Sequence, residues 1–362
     1  MQSSFRPLLL TLACVCSSSF ALCGQSFQRS VDAFDTLALP AGGKATSPEQ
    51  WEPRRKAILE GMQAIMGKLP GDEKRVPLDV RTEEEVDCGT YVRRLISYAS
   101  EPGSRTPAYL CIPKSALQGT PAPAVLCLHP TDNTVGHKVV VGLGGKANRQ
   151  YASELTERGF VTISPAYPLL ANYQPDLKAL GWESGTLKAV WDNMRAMDVL
   201  DSLPSVKHGK YGAIGHSLGG HNSVYTAVFD PRIQVIISSC GLDSYRDYFG
   251  GDATKWVPEK GWCQTRYMIR LASYQNRLAE ILFDFPELLS ALAPRHVLIC
   301  APLKDSNFKW ESVDRVVESA RRVYALHNAQ DRLMVEHPDC DHDFPDAVRE
   351  KAYALMAQVL KQ

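Results

Sequence analysis

Apolar positions along this chain change their period twice, and the changes divide it into three stretches. Between 25 and about 71, Trp51, Ile58, Met62, Ile65 and Met66 recur at helical spacing behind Ser47-Pro48-Glu49, a cap followed by a first-turn proline and acid. This predicts one helix lying against the outside of a later core. From 76 to 113 the pattern turns to alternation with β-branched and aromatic residues (Tyr91, Val92, Leu95, Ile96, Tyr98, then 108–112), broken by a Pro102-Gly103 turn. That predicts an antiparallel opening, with Glu83-Glu84-Glu85 as a solvated edge rather than a ligand cluster.

From 124 onward, short apolar runs stand at 124–128, 160–163, 210–214, 233–238, 296–301 and 333–336, separated by helix-length segments at 148–158, 186–202, 218–229 and 311–327, with 344–360 closing the chain. Strands so uniformly apolar are buried on both faces. Their alternation with helices predicts a mostly parallel, twisted sheet with helices on both sides and its functional loops at the carboxyl ends of the strands. The stretch 241–294 is too long for an ordinary connection and reads as an inserted lid. It holds Tyr245, Tyr248, Phe249, Trp256, Trp262, Tyr267 and Tyr274 with Arg246, Arg266 and Arg270. Those aromatics suit either a small satellite core or a wall facing a substrate. The organisation expected is thus an extension at 25–75 and one α/β domain at 76–362.

The first residues stand apart. Arg6, an apolar run at 7–16 and the small-residue stretch Ala21-Leu22-Cys23-Gly24 describe a secretory signal peptide over 1–24, which places the protein outside the cytoplasm, secreted or periplasmic. The run is about half the roughly twenty residues of a spanning helix, so no stable membrane span is expected.

Composition narrows the partners. With 40 Lys+Arg against 40 Asp+Glu and 44% hydrophobic residues in 362, the chain is an ordinary globular protein. It lacks the long-range field that draws proteins to nucleic acid, so no nucleic-acid partner is expected. Three of the ten cysteines lie in the leader, and Cys127, Cys240 and Cys300 sit in apolar strand runs as packing residues. Cys88, Cys111, Cys263 and Cys340 are free to pair in an oxidising compartment. None has zinc or redox spacing, so no metal held through cysteine is expected; the serine chemistry set out below implies neither a metal nor an organic cofactor.

The candidate chemistry centres on Gly215-His216-Ser217-Leu218-Gly219-Gly220, which follows a predicted strand and opens a predicted helix. In G-x-S-x-G the turn is so tight that Gly215 and Gly219 must lack side chains, and the serine hydroxyl is lifted above the sheet. A serine needs a base to take its proton. With the order serine, acid, histidine, the histidines at 129, 137, 208 and 216 come too early. His221 is read as pointing away along the serine's own helix, His296 opens a buried strand and His327 ends a helix. His342, in the loop before the last helix, is the expected base, with His337 its rival. Asp305 is the expected acid, after the strand at 296–301, with Asp243 one strand earlier as the alternative. Asp339, Asp341 and Asp343 are too close along one short segment to converge on an ion. The oxyanion donors expected are the N–H of Leu218, at the positive end of its helix, and that of Thr131, because Pro130 beside it has none. Gly142-Leu143-Gly144-Gly145 reads as an active-site loop rather than a phosphate loop.

These residues carry a resemblance. The segments Leu128-His129-Pro130-Thr131, Gly215-His216-Ser217-Leu218-Gly219-Gly220-His221, Ala301-Pro302-Leu303-Lys304-Asp305 and His342-Asp343-Phe344-Pro345 resemble the α/β-hydrolase superfamily over about 91–362. Within it the chain is similar to the acetyl xylan esterase and dienelactone-hydrolase-like branch, near the catalytic domains of prolyl oligopeptidases. It has no amino-terminal propeller of the peptidase kind, and it carries Ser217 where dienelactone hydrolases carry cysteine. The resemblance implies the α/β-hydrolase fold, with Ser217 as nucleophile, Asp305 as acid and His342 as base. It implies hydrolysis of a carboxylic ester, expected to be an acyl or methyl ester of a carbohydrate. The alternatives are a serine peptidase or amidase, since the same triad cleaves both bond types, and a non-catalytic scaffold binding sugars or a partner through the aromatic insert.

Overall fold

The computed structural model describes residue 29 and residues 31–362; the leader expected at 1–24 lies outside the described residues. The helix predicted behind Ser47 is α1 (Pro48–Met66), with the Ser47 hydroxyl accepting the Gln50 N–H. The antiparallel opening is β1 (Arg81–Asp87), β2 (Tyr91–Glu101) and β3 (Ser104–Pro113), followed by the one-turn α2 (Lys114–Leu117). The alternating part then runs β4 (Ala122–Leu128), α3 (Tyr151–Glu157), β5 (Val161–Pro165), α4 (Gly185–Asp201), β6 (Val206–His216), α5 (Leu218–Phe229) and β7 (Ile233–Ser239). After the insert come α6 (Phe285–Ala291), β8 (His296–Cys300), α7 (Trp310–Leu326), β9 (Leu333–Glu336) and α8 (Asp346–Leu360).

All nine strands form one sheet, ordered β1-β2-β3-β5-β4-β6-β7-β8-β9. The β1/β2, β2/β3 and β3/β5 pairs are antiparallel and every later pair is parallel. Side chains alternate across a strand, so each buried strand feeds two cores. Ala124, Leu126 and Leu128 of β4 join α1, α4, α5, α6 and α7 on one face, while Val125 and Cys127 join α3 and α8 on the other. Val297 and Ile299 divide from Leu298 and Cys300 of β8 in the same way. The glutamates at 83–85 are exposed on the edge strand β1.

The extension and the insert share the larger core. Trp51, Ile58, Met62 and Ile65 of α1 are buried in it, and Arg54 is buried against the Glu287 carboxylate of α6 at 2.6 Å. Within 241–294 the chain runs as short 3₁₀ turns before α6, and Trp256, Trp262, Met268, Leu271 and Phe283 join the same core. Most of its aromatics therefore extend the main core, while Tyr267 packs in a small cluster with Tyr167, Leu170, Ala189 and Leu218, and Phe249 is exposed. All seven described cysteines are free, including Cys88, Cys111, Cys263 and Cys340, the four the sequence left open for pairing. Among the described residues no helix is long and apolar enough to cross a membrane.

β5 and β6 lie on opposite sides of β4, which makes β4 the point where the strand order reverses. Ligands of open α/β sheets bind outside the carboxyl ends of the strands at such a point. The loop after β4 and the turn after β6 carry Thr131 and Ser217.

Candidate active site

Ser217 is the single residue between β6 and α5, at φ 54° and ψ −119°, outside the regions where a residue with a side chain rests easily. Its N–H donates to Ser239 O at 2.8 Å, and its carbonyl accepts the His221 N–H. The strained turn is possible because its neighbours are glycines. A Cβ on Gly215 would lie 2.2 Å from the Gly219 carbonyl carbon, and one on Gly219 would lie 2.0 Å from Leu128 O. The second contact presses the end of β4 against the start of α5. Leu218 opens that helix, so its N–H has no carbonyl one turn back to bond.

The loop after β4 is held from several sides. His129 is buried, its Nδ1–H donates to Pro130 O at 2.8 Å, and its Nε2 accepts the Tyr167 N–H at 3.0 Å. Burial pushes its imidazole down to about 4, so the neutral form that this pairing requires is the stable one. Thr131 lies beyond, its hydroxyl 2.9 Å from that of Tyr267 in the insert.

The loop after β8 brings Asp305 under the His342 loop. Leu303 N–H donates to Pro338 O and Lys304 N–H to Cys340 O, which ties the two loops together. His342 Nδ1–H donates to Asp305 Oδ2 at 2.8 Å, while Oδ1 accepts Asn307 N–H at 2.7 Å and Phe308 N–H at 3.2 Å. A carboxylate only accepts, so this bond fixes the proton on Nδ1 and leaves Nε2 facing out. Burial works to raise the Asp305 carboxyl, but the bond and charge of His342 with the two backbone donors outweigh it and hold the group below its ordinary range. Arg149 braces the far side, bonding Asp343 Oδ1 at 2.5 Å and reaching His342 O at 3.4 Å.

The rivals lie elsewhere. Asp243 is buried and accepts Lys309 N–H at 3.2 Å, and burial raises its carboxyl well above the usual range. His337 is occupied by Ala301 O and Asp314.

Ser217, Leu218, Thr131 and His342 line one cavity of about 360 Å³, a size suited to a small ligand or a sugar ring. Among the described residues no hydrogen bond joins the Ser217 hydroxyl to His342. Tyr248, Trp262 and Tyr267 of the insert form part of the wall, and Lys146 and Arg149 approach from the loop that follows Gly142-Leu143-Gly144-Gly145.

Two histidines set aside in the sequence also line the cavity. His216 is buried beneath His342, with ring centroids 4.8 Å apart. Burial first, then the charge of Arg149, holds it well below the usual histidine range. His221, expected to point away, instead lies against Trp262 at 4.3 Å, and neither ring nitrogen has a partner. Its place four residues after Ser217, on the same helical face, is the signal that the reading passed over. One possible metal-binding group exists among the described residues: His216, Cys240 and His342, whose ligand atoms lie within 4.8 Å of one another. Both imidazoles already use Nδ1, toward Ser239 and Asp305, and burial raises the Cys240 thiol, which donates to Asp343 O. An ion there would have to displace the thiol's proton and that bond.

The sheet order, the strand–turn–helix at Ser217 and the helices on both faces define an α/β-hydrolase fold. Comparison with known proteins agrees. The family described as "Glucuronyl esterase, fungi" matches residues 180–327. A curated relative, "Putative hydrolase YtaP" of Bacillus subtilis, is 24% identical over 317 residues, covering 85% of this chain and 99% of its own. A glucuronoyl esterase from Solibacter usitatus superposes with a TM-score of 0.70 at 20% identity, over 88% of this chain and 95% of that one. A Bacteroides fragilis structure described as "a putative acetyl xylan esterase" superposes at 0.58 and 17% identity, over 86% and 83%.

Proposed function

We propose that this chain is an exported serine hydrolase that cleaves a carboxylic ester of a carbohydrate, with a uronic acid as the favoured acyl part. One observation carries the reading. His342, held by Asp305, opens onto the same cavity as the strained Ser217 at the head of α5. The uronic acid is favoured because the matched glucuronyl esterase family spans 180–327, which includes Ser217 and Asp305. Export rests on the leader at 1–24.

In this reading His342 Nε2 takes the Ser217 proton as Oγ bonds to the ester carbon, and the carbonyl electron pair moves onto oxygen. The N–H groups of Leu218 and Thr131 receive that charge. Collapse expels the alcohol, which leaves with the proton from His342 and an acyl-Ser217 behind. Water then adds in the same way, its proton passing to His342, and the acid departs as Ser217 regains its hydrogen.

A fluorophosphonate probe on the mature protein tests the nucleophile. Labelling that is lost in Ser217→Ala is expected, and an unlabelled wild type overturns the reading. Benzyl and methyl glucuronate esters, acetylated xylan, nitrophenyl acetate and peptide anilides then separate the substrates. Turnover led by peptide anilides would replace the esterase by the peptidase, and sugar binding without turnover would replace it by the scaffold.

A further inference from the structure

The oxyanion donors counted so far are backbone groups, and they are few. The side chain after the serine is the apolar Leu218, and Pro130 has no N–H to give. Beside them, Thr131 Oγ1 and the Tyr267 hydroxyl lie 2.9 Å apart, and both residues line the cavity with Ser217.

The tyrosine is fixed on every side. It is buried, with its ring edge-on to Tyr167 at 6.3 Å and Trp262 at 6.0 Å. Its carbonyl accepts the Thr186 N–H at 3.2 Å, at the start of α4. Arg266, just before it, donates to Asn133 Oδ1 at 2.8 Å, two residues beyond Thr131. The close approach of this segment to α4 is built in, since a Cβ on Gly185 would lie 2.3 Å from Arg266 O. The insert thus clamps the loop that follows β4.

The direction of the Thr131–Tyr267 bond follows from acidity. A phenol is a far stronger acid than an aliphatic alcohol, so the favoured arrangement has Tyr267 donating to Thr131 Oγ1. Among the described residues the Thr131 hydroxyl has no other hydrogen-bond partner, so its own hydrogen is free to turn into the cavity. A hydroxyl that accepts a bond is polarised into a better donor.

Resting on Ser217 as nucleophile, we propose that the Thr131 hydroxyl is a catalytic side-chain donor to the oxyanion and that Tyr267 is the positioning residue that aims and polarises it. No proton is transferred. As the Ser217 Oγ–carbon bond forms and the carbonyl pair moves to oxygen, the Thr131 O–H shortens its bond to that oxygen, and it relaxes when the carbonyl re-forms.

Four variants test this on an activated ester: Thr131→Val, Thr131→Ser, Tyr267→Phe and the Val/Phe double. Thr131→Val keeps the backbone N–H and removes only the hydroxyl. It is expected to lower kcat by about 10²-fold, the scale of one lost oxyanion donor, with KM little changed. Thr131→Ser should restore most of the rate. Tyr267→Phe should cost several-fold in kcat, and the double variant should be no slower than Thr131→Val, because the tyrosine acts through the threonine. A boronate transition-state analogue should weaken in step with kcat while the product acid binds unchanged. An unchanged kcat in Thr131→Val, a loss carried by KM alone, or additive losses in the double variant would each overturn the proposal. Fluorophosphonate labelling of the wild type is read alongside: labelling without a Thr131 effect sinks this inference alone, whereas no labelling sinks the nucleophile beneath it.

Discussion

Acidification should destabilise this protein already in the mildly acidic range, because several histidines are folded away uncharged. Burial lowers His129 to about 4, from an ordinary 6.5, and lowers His137 and His221 to about 3. A base whose folded value is lowered binds fewer protons folded than unfolded. Between its folded value and 6.5 the unfolded state is therefore favoured more as pH falls. At about pH 5.5 each of the three costs ~1.4 kcal/mol relative to pH 7.5, so together they cost about 4 kcal/mol. Two buried carboxyls oppose them. Asp284 is raised by burial to about 6, binds its proton earlier in the folded state, and returns about 0.8 kcal/mol over the same interval. His216, held low, adds to the loss, and Asp243, held high, offsets it. Asp305, held below its ordinary 3.8, loses its contribution only at lower pH. His129, His137, His221 and Asp284 together give a loss of about 3 kcal/mol, a large part of a typical 5–15 kcal/mol total. Urea unfolding at pH 7.5 and 5.5 measures it directly. His137→Phe isolates one group, since His137 packs on Tyr109 at 5.0 Å and its Nε2 has no partner. That variant should shrink the loss between the two pH values by ~1.4 kcal/mol, nearly half of it. Equal stability at the two pH values, or an unchanged slope in His137→Phe, would refute the reasoning.

Three further predictions concern the site. Asp305→Asn should lower kcat by about 10⁴-fold, the scale expected when the imidazole loses the partner that fixes its tautomer. Asp243→Asn should leave kcat within about threefold, because its carboxyl meets Lys309 N–H and not His342; steady-state kinetics of the pair checks both. Gly219→Ala places a Cβ 2.0 Å from Leu128 O and forces the β4 loop away from the elbow. The expected result is a stability loss of about 1–3 kcal/mol and labelling at Ser217 about 10²-fold slower, read by thermal unfolding and probe kinetics.

Much of this protein follows from its sequence because the signals are local. A strand buried on both faces must be apolar throughout, and a serine turn this tight must have glycine on either side. The strands and helices after 124 and the Gly215–Gly219 elbow therefore show in the residues themselves. So does the pairing of Asp305 with His342, which needs only the order of strands and the loops at their ends. What the tertiary structure decides depends on which segments meet. Nothing local in 241–294 tells that most of its aromatics complete the main core while Tyr267 reaches Thr131, because the partners, Tyr225 and Phe308 for the core and Thr131 for Tyr267, all lie outside the insert. Nor does a histidine on a helix announce which way it faces. His221 turns into the cavity because the insert brings Trp262 there, and packing between distant segments, unlike periodicity, leaves no mark on the order of residues.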